Sequence, residues 1–141
     1  MIVLLSFVLL GCSIRSYENG NASIKDLETG WFRATATGTL NTSKSDATEM
    51  MILRIAEYCL ENDIPYFKIY NARGRLRRHY SQWVGPYGIP TGAKTARGTS
   101  YEATAEFFPI SEADRSQFSN QSIVIVKKAI EKYKHLRVNN E

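Results

Sequence analysis

The sequence predicts a single α+β domain, in which a small, mainly antiparallel or mixed sheet of three to four strands carries two helices on one face. Alternating apolar and polar residues at separate places are typical of half-buried strands. An apolar pattern with helical spacing lies between two of these places along the chain. The composition, with 43% apolar and 23% charged residues, is that of an ordinary globular protein and excludes wholesale disorder.

The N-terminal segment MIVLLSFVLLGCS is predicted to direct lipid attachment. Residues 1–10 are apolar apart from one serine, and ten apolar residues are too few to span a hydrocarbon core of about 30 Å. The run ends in LLGC, which resembles the lipobox of bacterial lipoproteins, where cleavage precedes a cysteine whose thiol carries a diacylglyceryl group. Residues 1–11 are therefore predicted to be a signal peptide and Cys12 the lipidation site. The alternative is a buried apolar strand, and the first basic residue, Arg15, leaves open a start codon upstream of Met1.

The residues after Cys12 refine the predicted location. Ser13, in place of aspartate, resembles the outer-membrane sorting pattern of such lipoproteins, so we expect a lipid-anchored domain at the outer membrane that faces the periplasm. Residues 12–29 are polar and predict a flexible tether. Because a lipidated Cys12 cannot form a disulfide, Cys59 is predicted to be a lone, buried thiol.

Three consecutive elements are predicted in the first half of the domain, which should span residues 30–136. Residues 31–40 alternate apolar side chains with arginine and threonine, which predicts a half-buried strand. Residues 47–60 have a broad apolar helical face, and residues 66–70 follow as a second strand. The predicted solvent side of the helix carries three charged residues: Arg54, Glu57 and Glu61.

The second half of the domain is predicted less regularly. Glycine and proline in residues 71–99 favour a long basic loop, interrupted at most by a short strand at 78–84. Residues 99–108 alternate again and predict a strand, and residues 120–136 have helical spacing. The last five residues, 137–141, are predicted to be a disordered tail.

Several segments resemble a family of small uncharacterised proteobacterial envelope lipoproteins. The matching pieces are GWFR at 30–33, GTLNTS at 38–43, ILRIAE at 52–57 and YFKI at 66–69. The similarity covers residues 28–71 and, loosely, the C-terminal helix. The resemblance implies an envelope lipoprotein with a strand-helix-strand core, and it implies no catalytic residues.

The basic residues of the chain are concentrated in one segment. Residues 71–99 hold six cations and no acid, whereas the rest of the chain has 18 − 6 = 12 basic and 14 acidic residues. Guanidinium groups bind phosphate through paired hydrogen bonds, and Tyr80, Trp83 and Tyr87 offer rings for stacking. The predicted anion-binding residues are Arg73, Arg75, Arg77, Arg78, Lys94 and Arg97.

This basic segment predicts a non-enzymatic binding or structural module that contacts an anionic envelope component or an envelope protein. In the envelope the available polyanions are lipid phosphates and lipopolysaccharide, so nucleic acid is not an expected partner unless the lipobox interpretation is false. The alternative is a solvated basic loop that keeps an edge strand from aggregating.

A periplasmic hydrolase is the alternative function. Glu102 and Glu106 lie two alternations apart on one predicted strand face, so they form a candidate carboxylate pair, and His79 is a candidate base. The same pattern fits an ordinary exposed strand face. The chain has only His79 and His135 and no CxxC or HxxxH spacing, so neither a metal nor another cofactor is predicted.

Overall fold

The computed structural model describes residues 13–88 and 90–137, so the predicted signal peptide and Cys12 lie outside the described residues. Six antiparallel strands form a curled half-barrel sheet that carries two helices. The elements in chain order are β1 (Ser13–Tyr17), β2 (Gly20–Asp26), β3 (Phe32–Gly38), α1 (Lys44–Glu61), β4 (Tyr66–Val84), β5 (Pro90–Ile110), β6 (Val124–Ile125) and α2 (Val126–Tyr133).

The predicted sheet of three to four strands is wrong, because the sheet has the order β1-β2-β3-β5-β4-β6. The chain is mostly sheet, and two of its longest strands run through the predicted loop. All neighbouring strands are antiparallel. The error arose from two segments whose polar composition favoured irregular structure.

The predicted flexible tether is one of these segments, and the structure corrects it. Residues 13–17 and 20–26 form the β1–β2 hairpin, whose second strand pairs along its whole length with β3. The hairpin buries Tyr17, Ala22 and Ile24 against the core, and the polar residues 21, 23 and 25 of β2 lie on the other face. A strand near the edge of a sheet needs only one apolar face, so its average polarity resembles that of a linker.

The predicted loop at 71–99 is the other segment. It forms most of the β4–β5 hairpin, and its ladder of pairs runs from Tyr66 and Ile110 to Val84 and Pro90. Most of the glycine and proline residues that favoured a loop lie at the hairpin turn or beside register shifts, and Tyr87 in the turn has a positive φ of 70°. Polar side chains are compatible with strands here because both faces of this part of the hairpin meet solvent.

The predicted central helix is confirmed as α1. Ser43 caps its N-terminus by accepting a hydrogen bond from the backbone N–H of Asp46 at 3.1 Å. The helix packs its apolar side on the inner face of the sheet, where Ala34, Ala105 and Phe107 are buried. β3 lies within the predicted strand at 31–40, and the predicted strand at 66–70 forms the start of β4.

The C-terminal helix is shorter than predicted. Residues 124–125 pair with the start of β4 as β6, and α2 then begins at Val126, whose N–H donates to the Pro65 carbonyl at 3.1 Å. Of the predicted disordered tail, only Arg137 is described, and it forms an isolated β-bridge with Tyr17. Among the described residues, no helix has the length and apolarity required to cross a membrane.

Candidate functional site

The β4–β5 hairpin extends well beyond the rest of the sheet. The last pair between β3 and β5 joins Thr37 and Glu102, so residues 76–84 and 90–101 continue as a two-stranded ribbon, here called the arm. Nine residues of β4 give the arm a length of about 30 Å at 3.3 Å per residue. Within the described residues, β6 is the only strand beyond β4 in the strand order, and it pairs with Tyr66 and Phe67 alone. The arm therefore presents a long open edge.

All six predicted anion-binding residues lie on the arm or at its base, and all six are exposed. Arg73, Arg75 and Arg77 alternate along β4 and share the face that points away from the core, since they are paired with residues 104, 102 and 100. Arg78 lies on the opposite face, Lys94 is paired with Gln82, and Arg97 lies where the register shifts. The structure thus brings together residues that are up to 24 positions apart.

Glu102 is the carboxylate that organises the base of the arm. Its Oε1 accepts a hydrogen bond from Arg75 Nε, and its Oε2 accepts one from Arg77 Nη1, both at 3.1 Å. The six cations and this carboxylate sum to a formal charge of +6 − 1 = +5. Within the described part of the chain, Arg78, Lys94 and Arg97 form no salt bridge, so their charges remain available to an anion.

Apolar side chains accompany the cations on the arm. Leu76, Tyr80 and Val84 recur at every fourth residue of β4 with exposures of 61%, 50% and 59%, and Tyr87 at the turn is 99% exposed. Leu76 continues the inner face of the sheet beyond the part that α1 covers, because it is paired with Tyr101 on that side. The arm therefore combines guanidinium groups with exposed tyrosine rings, a combination that suits an extended anionic ligand.

The predicted carboxylate pair is divided between two separate clusters of cations and amides. Glu106 accepts hydrogen bonds from Asn71 Nδ2 at 2.7 Å and from Arg33 Nη2 at 3.5 Å. The Asn71 hydrogen bond, with that of Arg33, lowers the pKa of Glu106, which is the opposite of what a general acid at neutral pH requires. Four residues of strand also place Glu102 and Glu106 about 13 Å apart along the backbone.

The third hydrolase candidate, His79, forms a hydrogen bond between its Nε2 and the hydroxyl of Ser100 at 2.7 Å. This pair resembles a base and its nucleophile in composition, but the Ser100 side chain is fully buried. A nucleophile must reach its substrate, so the geometry favours a structural contact at the base of the arm. The described residues contain no group of three side chains suited to hold a metal ion.

A buried ionic cluster that the sequence interpretation missed lies on the other side of the molecule. Glu57 is 2% exposed and accepts hydrogen bonds from the Tyr17 hydroxyl at 3.1 Å and from an Arg15 guanidinium. Arg137 Nε lies 3.3 Å from the same carboxylate. Burial and the Glu57 charge raise the pKa of Tyr17, so its hydroxyl keeps the proton that it donates. Glu57 thereby joins β1 and the C-terminal end of the described chain to α1.

This cluster corrects the predicted solvent side of the helix. Arg54 and Glu57 are 1% and 2% exposed, whereas Glu61 is exposed as predicted and also contacts Arg15. An open cleft of about 720 Å³ adjoins the cluster between β1 and the end of α1. Charged residues on a helix are ordinarily interpreted as solvent-facing, but Glu57 is buried here beside Arg15, Tyr17 and Arg137.

Comparisons with protein families, with curated proteins and with solved structures found no match to this chain. The resemblance to proteobacterial envelope lipoproteins therefore stays a prediction.

Proposed function

We propose that this protein is a bacterial envelope lipoprotein, anchored by a lipid on Cys12 in the outer membrane and facing the periplasm. Its domain is a non-enzymatic binding module, and the arm contacts an anionic envelope component. The observation that carries the proposal is the concentration of six exposed cations on and beside a projecting hairpin with one carboxylate among them.

The spacing of these cations supports an extended anionic ligand. Alternate residues on a strand lie about 6.6 Å apart, so Arg73, Arg75 and Arg77 form a row along one face. Glu102 holds two of these side chains in place, which reduces the entropy that a ligand must remove. Arg78, Lys94 and Arg97 add charge at other positions on the arm.

The solvated-edge alternative uses the same residues for a different purpose. Charged side chains on an open strand edge prevent pairing with other chains, and β4 has such an edge. Protection of an edge requires charge but no ligand. A binding measurement on charge-matched variants separates the two interpretations.

The experiment compares two triple variants of the lipidated chain in phosphatidylcholine nanodiscs. Arg78→Gln, Lys94→Gln and Arg97→Gln remove three cations from the arm and leave the Glu102 pairs intact. The control variant makes the same change in net charge at three exposed positions on α2: Lys127→Gln, Lys128→Gln and Lys132→Gln. The probes are purified lipopolysaccharide and phosphatidylglycerol vesicles.

We expect the arm variant to lose affinity for at least one probe by about tenfold or more, which corresponds to about 1.4 kcal/mol. Wild-type binding should weaken as ionic strength rises through the range where the Debye length falls from about 10 to 3 Å. Equal losses in the two variants would show a net-charge effect. Binding to both probes that is absent or insensitive to salt would refute the anionic ligand.

The lipid anchor is tested separately by intact mass. We expect loss of residues 1–11 and a diacylglyceryl group on Cys12, and a Cys12→Ser variant should retain the uncut N-terminus. A soluble wild-type protein with unmodified Met1 would refute the anchor and the predicted location together.

A further inference from the structure

The position of Ser13 determines which end of the sheet would lie nearest to a lipid on Cys12. Ser13 is the first residue of β1 and lies in one row of paired residues with Ile24, Ala34 and Ala105. Cys12 directly precedes Ser13 in the sequence, so a lipid on Cys12 would be joined to the first residue of β1. The lipid would therefore attach directly to the folded sheet and not to a long tether.

The arm points away from this attachment point. β1 runs from Ser13 toward Tyr17, and the alternating strand directions place the arm beyond the Tyr17 end of the sheet. Fifteen residues of β5 separate Ala105 from Pro90, which is about 50 Å along the strand. The chain thus has one end near the lipid and a basic end far from it.

An aromatic cluster lies at the end near the lipid. The Trp31 ring centroid is 4.6 Å from that of Tyr70 and 5.3 Å from that of Phe108, and Lys68 Nζ lies 4.8 Å from the Tyr70 centroid. All four side chains are partly exposed. Phe108 directly follows the buried Phe107, and Tyr70 directly follows Ile69, which is paired with Phe107. Neighbouring residues of a strand point to opposite faces, so the cluster lies on the outer face of the sheet, away from α1.

The composition of this cluster suits a membrane surface. Tryptophan and tyrosine favour the boundary between hydrocarbon and water, because one part of the ring system is apolar and another part forms hydrogen bonds. A lysine ammonium beside them can meet lipid phosphates while its stem remains in the boundary region. Ordinary core aromatics, in contrast, lie on the inner face with Phe107.

We propose that the aromatic cluster of Trp31, Tyr70, Phe108 and Lys68 seats the domain on the membrane that holds its lipid, with the arm directed away from that surface. This inference rests on the proposed lipid on Cys12. It also narrows the proposed function, because the anionic partner of the arm would lie outside the anchoring membrane. The partner would then be an anionic component reached from the periplasm, at most about 50 Å from the anchor along β5.

Quenching by brominated lipids tests this orientation, because one of the two tryptophans belongs to the aromatic cluster and the other belongs to the arm. Trp83→Phe leaves Trp31 in the aromatic cluster, and Trp31→Phe leaves Trp83 in β4 of the arm. Each lipidated variant is reconstituted in phosphatidylethanolamine and phosphatidylglycerol vesicles with and without acyl-chain-brominated phosphatidylcholine. The lipid on Cys12 is verified by intact mass in the same samples.

We expect brominated lipid to quench Trp31 emission by about half and to leave Trp83 emission unchanged, since bromine quenches only at close range. Lys68→Glu should weaken the quenching of Trp31, whereas the same charge change on the arm, Arg78→Glu, should not. Circular dichroism verifies that each variant is folded.

Three results would overturn the orientation. Trp31 that is unquenched in verified lipoprotein would show that the domain stands off the membrane, and the proposed anchor would survive. Quenching of Trp83 in place of Trp31 would place the arm on the membrane. Absence of lipid on Cys12 would remove the anchor itself and the orientation with it.

Discussion

Replacing Glu57 with glutamine should destabilise the fold, because this residue is the buried centre of the ionic cluster. Its carboxylate is 2% exposed and contacts the Tyr17 hydroxyl, Arg15 and Arg137. Glutamine preserves the shape of the side chain and one acceptor oxygen, but it removes the negative charge. Two guanidinium groups then face a neutral amide that presents donors of its own.

The expected loss is about 2–3 kcal/mol. Removing one partner of a buried ion pair costs about 3–5 kcal/mol. Arg15 and Arg137 are 41% and 42% exposed, so water screens the charges that remain, and glutamine still accepts one hydrogen bond. For a domain of this size the loss corresponds to a decrease in Tm of roughly 5–10 °C.

Urea unfolding followed by circular dichroism measures this loss as a lower midpoint at an unchanged m value. Glu61→Gln is the matched control, because Glu61 also contacts Arg15 but is 48% exposed, and it should cost less than about 0.5 kcal/mol. If Glu57→Gln matched the control, the cost of burying the carboxylate would equal the gain from its partners, and the cluster would not stabilise β1.

Three further predictions concern other contacts. Burial raises the pKa of Cys59 to about 12, so stability should fall as pH rises from about 8.5, where the unfolded thiol ionises, toward 12, and Cys59→Ala should remove part of that fall in the urea midpoint. A Cβ at Gly74 would lie 2.2 Å from the Tyr101 ring, so Gly74→Ala should cost about 1–3 kcal/mol in urea unfolding, and much less in a Tyr101→Ala background. Asn71→Gly keeps the positive φ of 50° but removes the hydrogen bond to Glu106, so NMR titration should show the pKa of Glu106 rising toward its ordinary value; the stability linked to this carboxylate is present above that value and is lost as pH falls.

The cations of the candidate site were predicted from the sequence, but the hairpin that carries them was not. Counting charges located all six cations on the arm and at its base, because a local excess of arginine is visible without any structure. The hairpin that aligns them was missed, since β4 has both faces in solvent along the arm and so lacks the apolar alternation by which strands are recognised. Its stability comes from backbone pairing with β5 and from contacts such as Tyr101 over Gly74.

Sequence by itself determined the elements whose burial pattern is local: the central helix α1, the strand at 32–38 and the buried thiol of Cys59. Only the tertiary structure decided that a polar stretch joins the sheet as β1 and β2 and that Glu57 is buried. The physical reason is that the residues on the buried face of a helix lie three or four positions apart, so their apolar pattern is visible within one short segment. The burial of Glu57 depends on Arg15 and Tyr17, about 40 positions away, and the pairing of β1 and β2 depends on β3, so no pattern within one short segment specifies either.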